Sequence, residues 1–184
     1  MIDGNIKLAK TLVEYSCKIK KNEKVLISYE GNEAKGLVKE IIKNVYRKNA
    51  IPFVEIRDSE MKRELLLKGK NEQFILENKF ALTQMKDMDA YIAIRGGANS
   101  AELSDVPEKI MNEYQRALRE TLDYRVNKTK WVILRYPVPS FAQSAGMSLD
   151  SFSKFYFDVC NLDYKKMKNA MTPLKNLMEK TNEV

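Results

Sequence analysis

Val25-Leu-Ile-Ser-Tyr29 runs straight into Glu30-Gly-Asn-Glu33, then a long patterned segment from Ala34 to Tyr46, and then Phe53-Val-Glu-Ile56. The first piece is an almost unbroken apolar run of strand length, which suits a strand covered on both faces. In the second, Ala34, Leu37, Val38, Ile41, Ile42, Val45 and Tyr46 recur at i, i+3, i+4 and i+7, one face of an α-helix. The third is again β-branched and aromatic. Strand, helix, strand over so short a span implies parallel strands joined by a right-handed crossover.

The same alternation continues outward. Ala90-Tyr-Ile-Ala-Ile94 and Trp131-Val-Ile-Leu134 supply a third and a fourth strand. Between them, Ile110, Tyr114, Ala117, Leu118 and Leu122 keep helical spacing behind Pro107, which suits a first-turn position. The reading is an α/β domain, Rossmann-like and doubly wound, with a mainly parallel sheet, flanking helices and the commonest strand order of that class. Residues 1–184 form a single domain. From Pro137 onward the pattern is purely helical. Pro137 and Pro139 break the chain, and Ser148 caps a helix carrying Leu149, Phe152, Phe155, Tyr156, Val159 and Cys160. A last helix, interrupted by Pro173, carries Tyr164, Met167, Met171, Leu174, Leu177 and Met178 before a polar exit at Thr181-Asn-Glu-Val184. This 137–184 extension is expected to pack on the sheet domain, its Met and aromatic stripe serving core or interface.

Composition bounds the chemistry. The 184 residues are 44% hydrophobic and 31% charged, with few glycines and prolines, as in a globular domain. No histidine occurs, so Ser-His and Cys-His dyads, HExxH zinc helices and imidazole metal cages are excluded for this chain. Cys17 and Cys160 stand far apart outside any CxxC arrangement and read as buried, reduced thiols of a cytoplasmic protein. Met1–Thr11 lacks the apolar core of a signal peptide, and no apolar run approaches a membrane span. The net charge of +7 raises nucleic-acid binding as a question. The lysines, densest at Lys18-Ile-Lys20-Lys21 and Lys165-Lys166-Met-Lys168, read instead as solvated helix faces, and no base-stacking platform accompanies them.

Ligands of open parallel sheets bind beyond the carboxyl ends of the strands. Arg57, Arg95 and Arg135 follow directly on three strands there. Guanidiniums that converge hold a phosphate or carboxylate in bidentate fashion. The competing reading pairs them with local acids such as Glu55, Asp58 and Glu102. Arg95-Gly-Gly-Ala-Asn99 is only a loose phosphate-binding turn, for GxGxxG and GxxxxGK[ST] are both absent. Glu60 and Glu64 share a helix face beside Lys62 and Arg63 and mark no metal site.

One long ordered series goes further: Arg135-Tyr-Pro137, Ala142-Gln-Ser-Ala-Gly-Met-Ser148, Phe155-Tyr-Phe-Asp-Val-Cys-Asn161, Asp163-Tyr164 and Met171-Thr-Pro-Leu174. It resembles the amino-terminal domain of the thermophilic-type metallo-aminopeptidase family, the aminopeptidase T, S and II group. The Lys24-Val-Leu-Ile-Ser28 strand and Arg95-Gly-Gly-Ala-Asn-Ser100 agree with the same pattern, so the resemblance spans essentially the whole chain.

The resemblance implies a cytoplasmic exopeptidase that removes amino-terminal residues from peptides with two divalent metal ions, zinc, cobalt or similar. Its ligands are Glu, His, Tyr and Asp side chains of a carboxyl-terminal domain that this chain does not include. No catalytic, cofactor or metal residue carries over to any position here. The expected role is a non-catalytic domain, inactive alone, that packs against the metal domain, restricts access to the active site and joins in a homodimer. An expressed domain, a proteolytic fragment and a truncated gene product all fit the boundary. Arg95, Asn99, Arg135 and Tyr136 are the candidates for lining the cleft toward the absent domain. The alternative is a free-standing Rossmann-like module for a phosphorylated small molecule. A basic nucleic-acid-binding domain ranks below both, and a membrane partner is not expected.

Overall fold

The computed structural model describes residues 2–181, so Met1 and residues 182–184 of the polar exit lie outside the described residues. Helix α1 (Ile2–Lys10) runs on into a π-helical turn, Thr11–Ser16. Strand β1 (Lys24–Glu30), helix α2 (Lys35–Arg47) and strand β2 (Ile51–Arg57) form the first crossover unit. Helices α3 (Ser59–Lys68) and α4 (Asn71–Lys86) lead to β3 (Ala90–Arg95). Helices α5 (Glu108–Ala117) and α6 (Arg119–Lys128) lead to β4 (Lys130–Arg135), and α7 (Pro139–Ser144), α8 (Leu149–Cys160) and α9 (Tyr164–Met178) close the chain.

All strand pairs are parallel, in the order β2-β1-β3-β4. This is the flavodoxin-like arrangement rather than the classic 3-2-1-4 one, and its switch point lies between β1 and β3. The pleat sorts the side chains by register. Val25, Ile27 and Tyr29 of β1 lie beside Ala90, Ile92 and Ile94 of β3 and face α1 and α2. Leu26 and Ser28 share the opposite face with Tyr91, Ala93 and Arg95, where Met85 and Met88 cover them. A third cluster joins Leu66, Phe74 and Val106 beneath α5.

The two central strands are buried on both faces, as their apolar runs require. The two outer strands are not. On β2, Val54 is 47% and Ile56 71% exposed; on β4, Trp131 and Ile133 are exposed. An apolar run therefore marks a strand here without fixing how many layers cover it.

The helix expected behind Pro107 is broken at Leu118 (φ −89°, ψ 1°). The break lets α5 follow the Leu66–Phe74 cluster while α6 turns along α4 toward β4. Pro173 does not interrupt the last helix, which continues through it to Met178. Its missing N–H leaves one carbonyl of the preceding turn without an amide. The surrounding residues of α9 are exposed, so water can serve that group.

Two elements add to the core without a strong sequence signature. α1 and the π-helical turn place Leu8, Ala9, Leu12, Val13 and Cys17 against α2 and the sheet. Helix α8 lies on α1, with the Phe157 ring so close to Gly4 that a Cβ there would meet it at 2.7 Å.

Candidate functional site

The carboxyl ends of β1 and β3 enclose a crevice of about 220 Å³ at the switch point. Gly31, Asn32, Arg57, Ser59, Gly97 and Asn99 line it together with several carboxylates, Glu30 and Glu102 among them. Asp58 caps α3 by accepting from Met61 N–H at 2.9 Å. The Ser59 hydroxyl donates to Glu30. The crevice is mainly acidic, the opposite of what a phosphate requires.

The sequence candidates occupy this end of the sheet, where the Tyr136 N–H donates to the Arg95 carbonyl at 2.7 Å and Arg95 pairs with Arg135 in register, but their side chains do not converge on one site. Asn99 is exposed; its amide donates to Glu102 Oε2 at 2.9 Å and its oxygen accepts from Ala101 N–H at 3.0 Å. That is a self-contained turn. Arg135 is exposed at the end of β4, with its guanidinium carbon 5.2 Å from the centre of the Phe141 ring. Tyr136 is 3% exposed, and its hydroxyl donates to Asn5 Oδ1 at 3.0 Å. Arg135 and Tyr136 both border a hollow of about 400 Å³ with Phe152 and Tyr156. Burial pushes the Tyr156 phenol far above its ordinary value, reinforced by Cys160.

Arg95 belongs to a different constellation. It is half-buried, donating from Nη2 to the Tyr91 hydroxyl at 3.0 Å and from Nη1 to Ser28 Oγ at 3.3 Å. Tyr91 is fully buried. Arg125 of α6 lies over the Tyr91 ring at 4.6 Å. Arg57 borders the same space from β2 and is held by Glu55 at 3.2 Å. Burial opposes ionisation of Tyr91, but Arg57, Arg95, the Ser28 hydrogen bond and Arg125 outweigh it and lower the pKa of the phenol.

Among the described residues, pairing with local acids thus holds for Arg57 but not for Arg95 or Arg135. Arg57 and Arg95 gather around Tyr91, while Arg135 sits apart. Sequence reading missed Arg125 and Tyr91. The available signal was weak: Tyr91 and Arg95, four apart on a strand, must share a face, whereas nothing in the α6 sequence aims Arg125 at them.

Among the described residues no donor set for a metal assembles. The chain has no histidine, and among the described residues no group of three or more Cys, Asp or Glu side chains is placed to hold an ion. The residues present do not fit a divalent metal centre. The thiols are free. Cys17 is buried and pushed up to about 11 by desolvation, and Cys160 is half-buried and also raised by burial. Among the described residues no helix is long and apolar enough to cross a membrane.

Helix α9 stands apart from the globular body. Tyr164 stacks on Tyr15 with ring centres 5.5 Å apart, anchoring its first turn. Beyond that, Met171 (54%), Leu174 (57%) and Leu177 (60%) are exposed. Met167, Met171, Leu174 and Met178 line a groove of about 720 Å³ against Tyr15. Their spacing of 4, 3 and 4 makes one continuous stripe.

Comparison with known proteins agrees with this architecture. The structure resembles wild-type AmpT from Thermus thermophilus with a TM-score of 0.65 at 18% sequence identity, over 86% of this chain and 43% of that one. The chain therefore spans less than half the length of that solved structure. A LacI-family repressor from Corynebacterium glutamicum (TM-score 0.32, 11% identity, 73% of this chain and 60% of that one) is far more distant. So is an alcohol dehydrogenase superfamily protein from Novosphingobium aromaticivorans (TM-score 0.33, 13% identity, 89% and 49%). No curated protein matches the sequence. A sequence model of the thermophilic metalloproteases (M29) matches residues 5–184. With nearly every residue inside that match, the chain belongs to the thermophilic metalloprotease (M29) family.

Proposed function

We propose that this chain is the amino-terminal, non-catalytic domain of a dinuclear metal-dependent aminopeptidase that acts in the cytoplasm. The observation that carries the reading is a mismatch. The family is one of metallopeptidases, yet this chain has no histidine and no cluster of metal donors among its described residues. Its share of AmpT, 43%, leaves room for a second domain of similar size. That domain would supply the Glu, His, Tyr and Asp ligands of two divalent ions, which polarise the scissile carbonyl and activate water. By itself this chain is inactive.

Its own contribution is packing and access. The stripe on α9 and the exposed Phe155, Val159 and Leu162 give it an apolar surface for the metal-bearing domain or for a second subunit. Arg135, exposed at a strand end, suits the free carboxylate of a short peptide entering between the domains. A restricted entrance of this kind excludes folded proteins.

The test is direct. Calorimetric titration of the 184-residue chain with zinc and cobalt should show no binding tighter than millimolar, and the chain should release no amino acid from Leu-Gly-Gly. Adding the separately expressed remainder of the polypeptide should restore hydrolysis. Stoichiometric metal binding with activity in the chain alone would sink the proposal.

A further inference from the structure

Among the described residues, the arginines around Tyr91 outnumber the carboxylates paired with them. Arg57, Arg95 and Arg125 approach one fully buried phenol on the face of the sheet under α4 and α6. Glu55 answers Arg57. Glu77 is taken by Lys62 and by the Tyr114 hydroxyl, and Asp123 by Arg119. Among the described residues, Arg95 and Arg125 meet no carboxylate, and the buried Nε of Arg125 has no hydrogen-bond partner. Like charges gathered in a half-buried space repel, and an unpaired buried donor is costly. Unbalanced charged groups beside a cleft mark a candidate ligand site.

The space between these groups is a crevice of about 350 Å³, within the range of small-molecule sites. Arg57 with its partner Glu55, Arg119 with its partner Asp123, and the unpaired Arg125 stand at its polar side beside Gln84 and Gln115. Leu26, Met85, Leu118 and Leu122 form its apolar side. We propose that this crevice is a binding site for a small organic oxyanion, a phosphate monoester or carboxylate on a compact apolar body. The Arg125 guanidinium grips the oxyanion together with the edge of Arg57 that Glu55 leaves free, and the leucine and methionine side chains hold the body. Arg95 works from behind as a positioning residue, fixing the Tyr91 hydroxyl and Ser28. The site lies wholly on described residues and does not depend on the aminopeptidase reading.

Thermal melting and calorimetric titration of the 184-residue chain at low ionic strength test it, with phenyl phosphate, phenylacetate, inorganic phosphate and neutral benzyl alcohol as probes. Phenyl phosphate or phenylacetate should raise Tm by roughly 5–10 °C at a hundred times its Kd. Whichever binds tighter identifies the head group. Benzyl alcohol should do nothing, and inorganic phosphate should bind more weakly than its phenyl ester. Arg125→Gln should weaken binding at least about tenfold and leave the ligand-free Tm unchanged or higher, because it relieves repulsion. Arg125→Lys should lose less. Failure of both organic anions to bind the native chain at millimolar concentration overturns the proposal. So does binding that Arg125→Gln and Arg57→Gln leave intact.

Discussion

Gly31 and Gly96 meet back to back where β1 and β3 end: a Cβ on Gly31 would fall well inside contact distance of the Gly96 carbonyl oxygen. Gly31 also adopts φ +89°, a region that side chains other than hydrogen rarely enter. This crossing lets the two strand ends turn outward side by side and opens the switch-point crevice. Gly31→Ala should cost about 2–4 kcal/mol, since backbone strain and backbone crowding act together. Gly146→Ala separates the two causes. Gly146 has φ +65° but open space around it, so the cost should be only about 1 kcal/mol. Urea unfolding of the two variants checks the difference.

Tyr136 is predicted to act through stability. Its hydroxyl is buried on Asn5 Oδ1, linking the end of β4 to α1. Tyr136→Phe leaves that acceptor unsatisfied and should cost about 1–3 kcal/mol. Arg135→Ala, one residue earlier on an exposed side chain, should change stability by less than about 0.5 kcal/mol. In the two-domain aminopeptidase proposed above it should lower kcat/KM for short peptides; an unchanged value would remove Arg135 from the proposed substrate path.

The α9 stripe predicts a separation of stability from association. Leu174→Asp and Met171→Asp alter exposed positions, so the melting temperature of the 184-residue chain should stay within a degree or two. The same changes should reduce binding of a hydrophobic dye and weaken assembly with the metal-bearing domain proposed above. A drop in melting temperature comparable to a core substitution would mean that α9 packs on this domain in solution.

An ion pair at the start of the sheet gives a pH dependence. Lys130 Nζ lies 2.6 Å from Glu23. Burial opposes ionisation of Glu23, but the Lys130 hydrogen bond, the Lys20 backbone N–H and the lysine charges outweigh it and hold its carboxyl below the ordinary 4.5. The folded pKa is depressed, so this contribution is present above about pH 4.5 and is lost as pH falls through the lower folded value. Lys130→Met should flatten that part of the stability–pH curve, measured by denaturant unfolding between pH 3 and 6.

Much of the fold was legible in sequence for a physical reason. β1 and β3 carry unbroken apolar runs because both their faces are covered, and α2 shows a clean periodic stripe because one face meets the sheet. The edges were less legible. Phe53, Val54 and Ile56 are as apolar as the central strands yet stand exposed, since composition reports strand preference and not the number of layers. α1 escaped notice because its buried positions, Leu8, Ala9, Leu12 and Val13, are few and continue into an irregular turn. At the strand ends, sequence position alone marks Arg57, Arg95 and Arg135 as arginines that follow directly on strands, and of these Arg57 and Arg95 converge. Their convergence on Tyr91 and Arg125 depends on how α6 crosses the sheet, which no local pattern encodes. The family pattern, by contrast, lies in order along β4 to α9 and could be read before any coordinate.

As one domain of a larger metal-dependent aminopeptidase, this chain should be encoded upstream of the residues that hold the metals. Reading the gene beyond the codon for Val184 tests this most directly. The account predicts an open frame continuing into a second domain with clustered Glu, His, Tyr and Asp residues able to hold two metal ions. A stop codon immediately after Val184 would contradict it and leave a stand-alone α/β module.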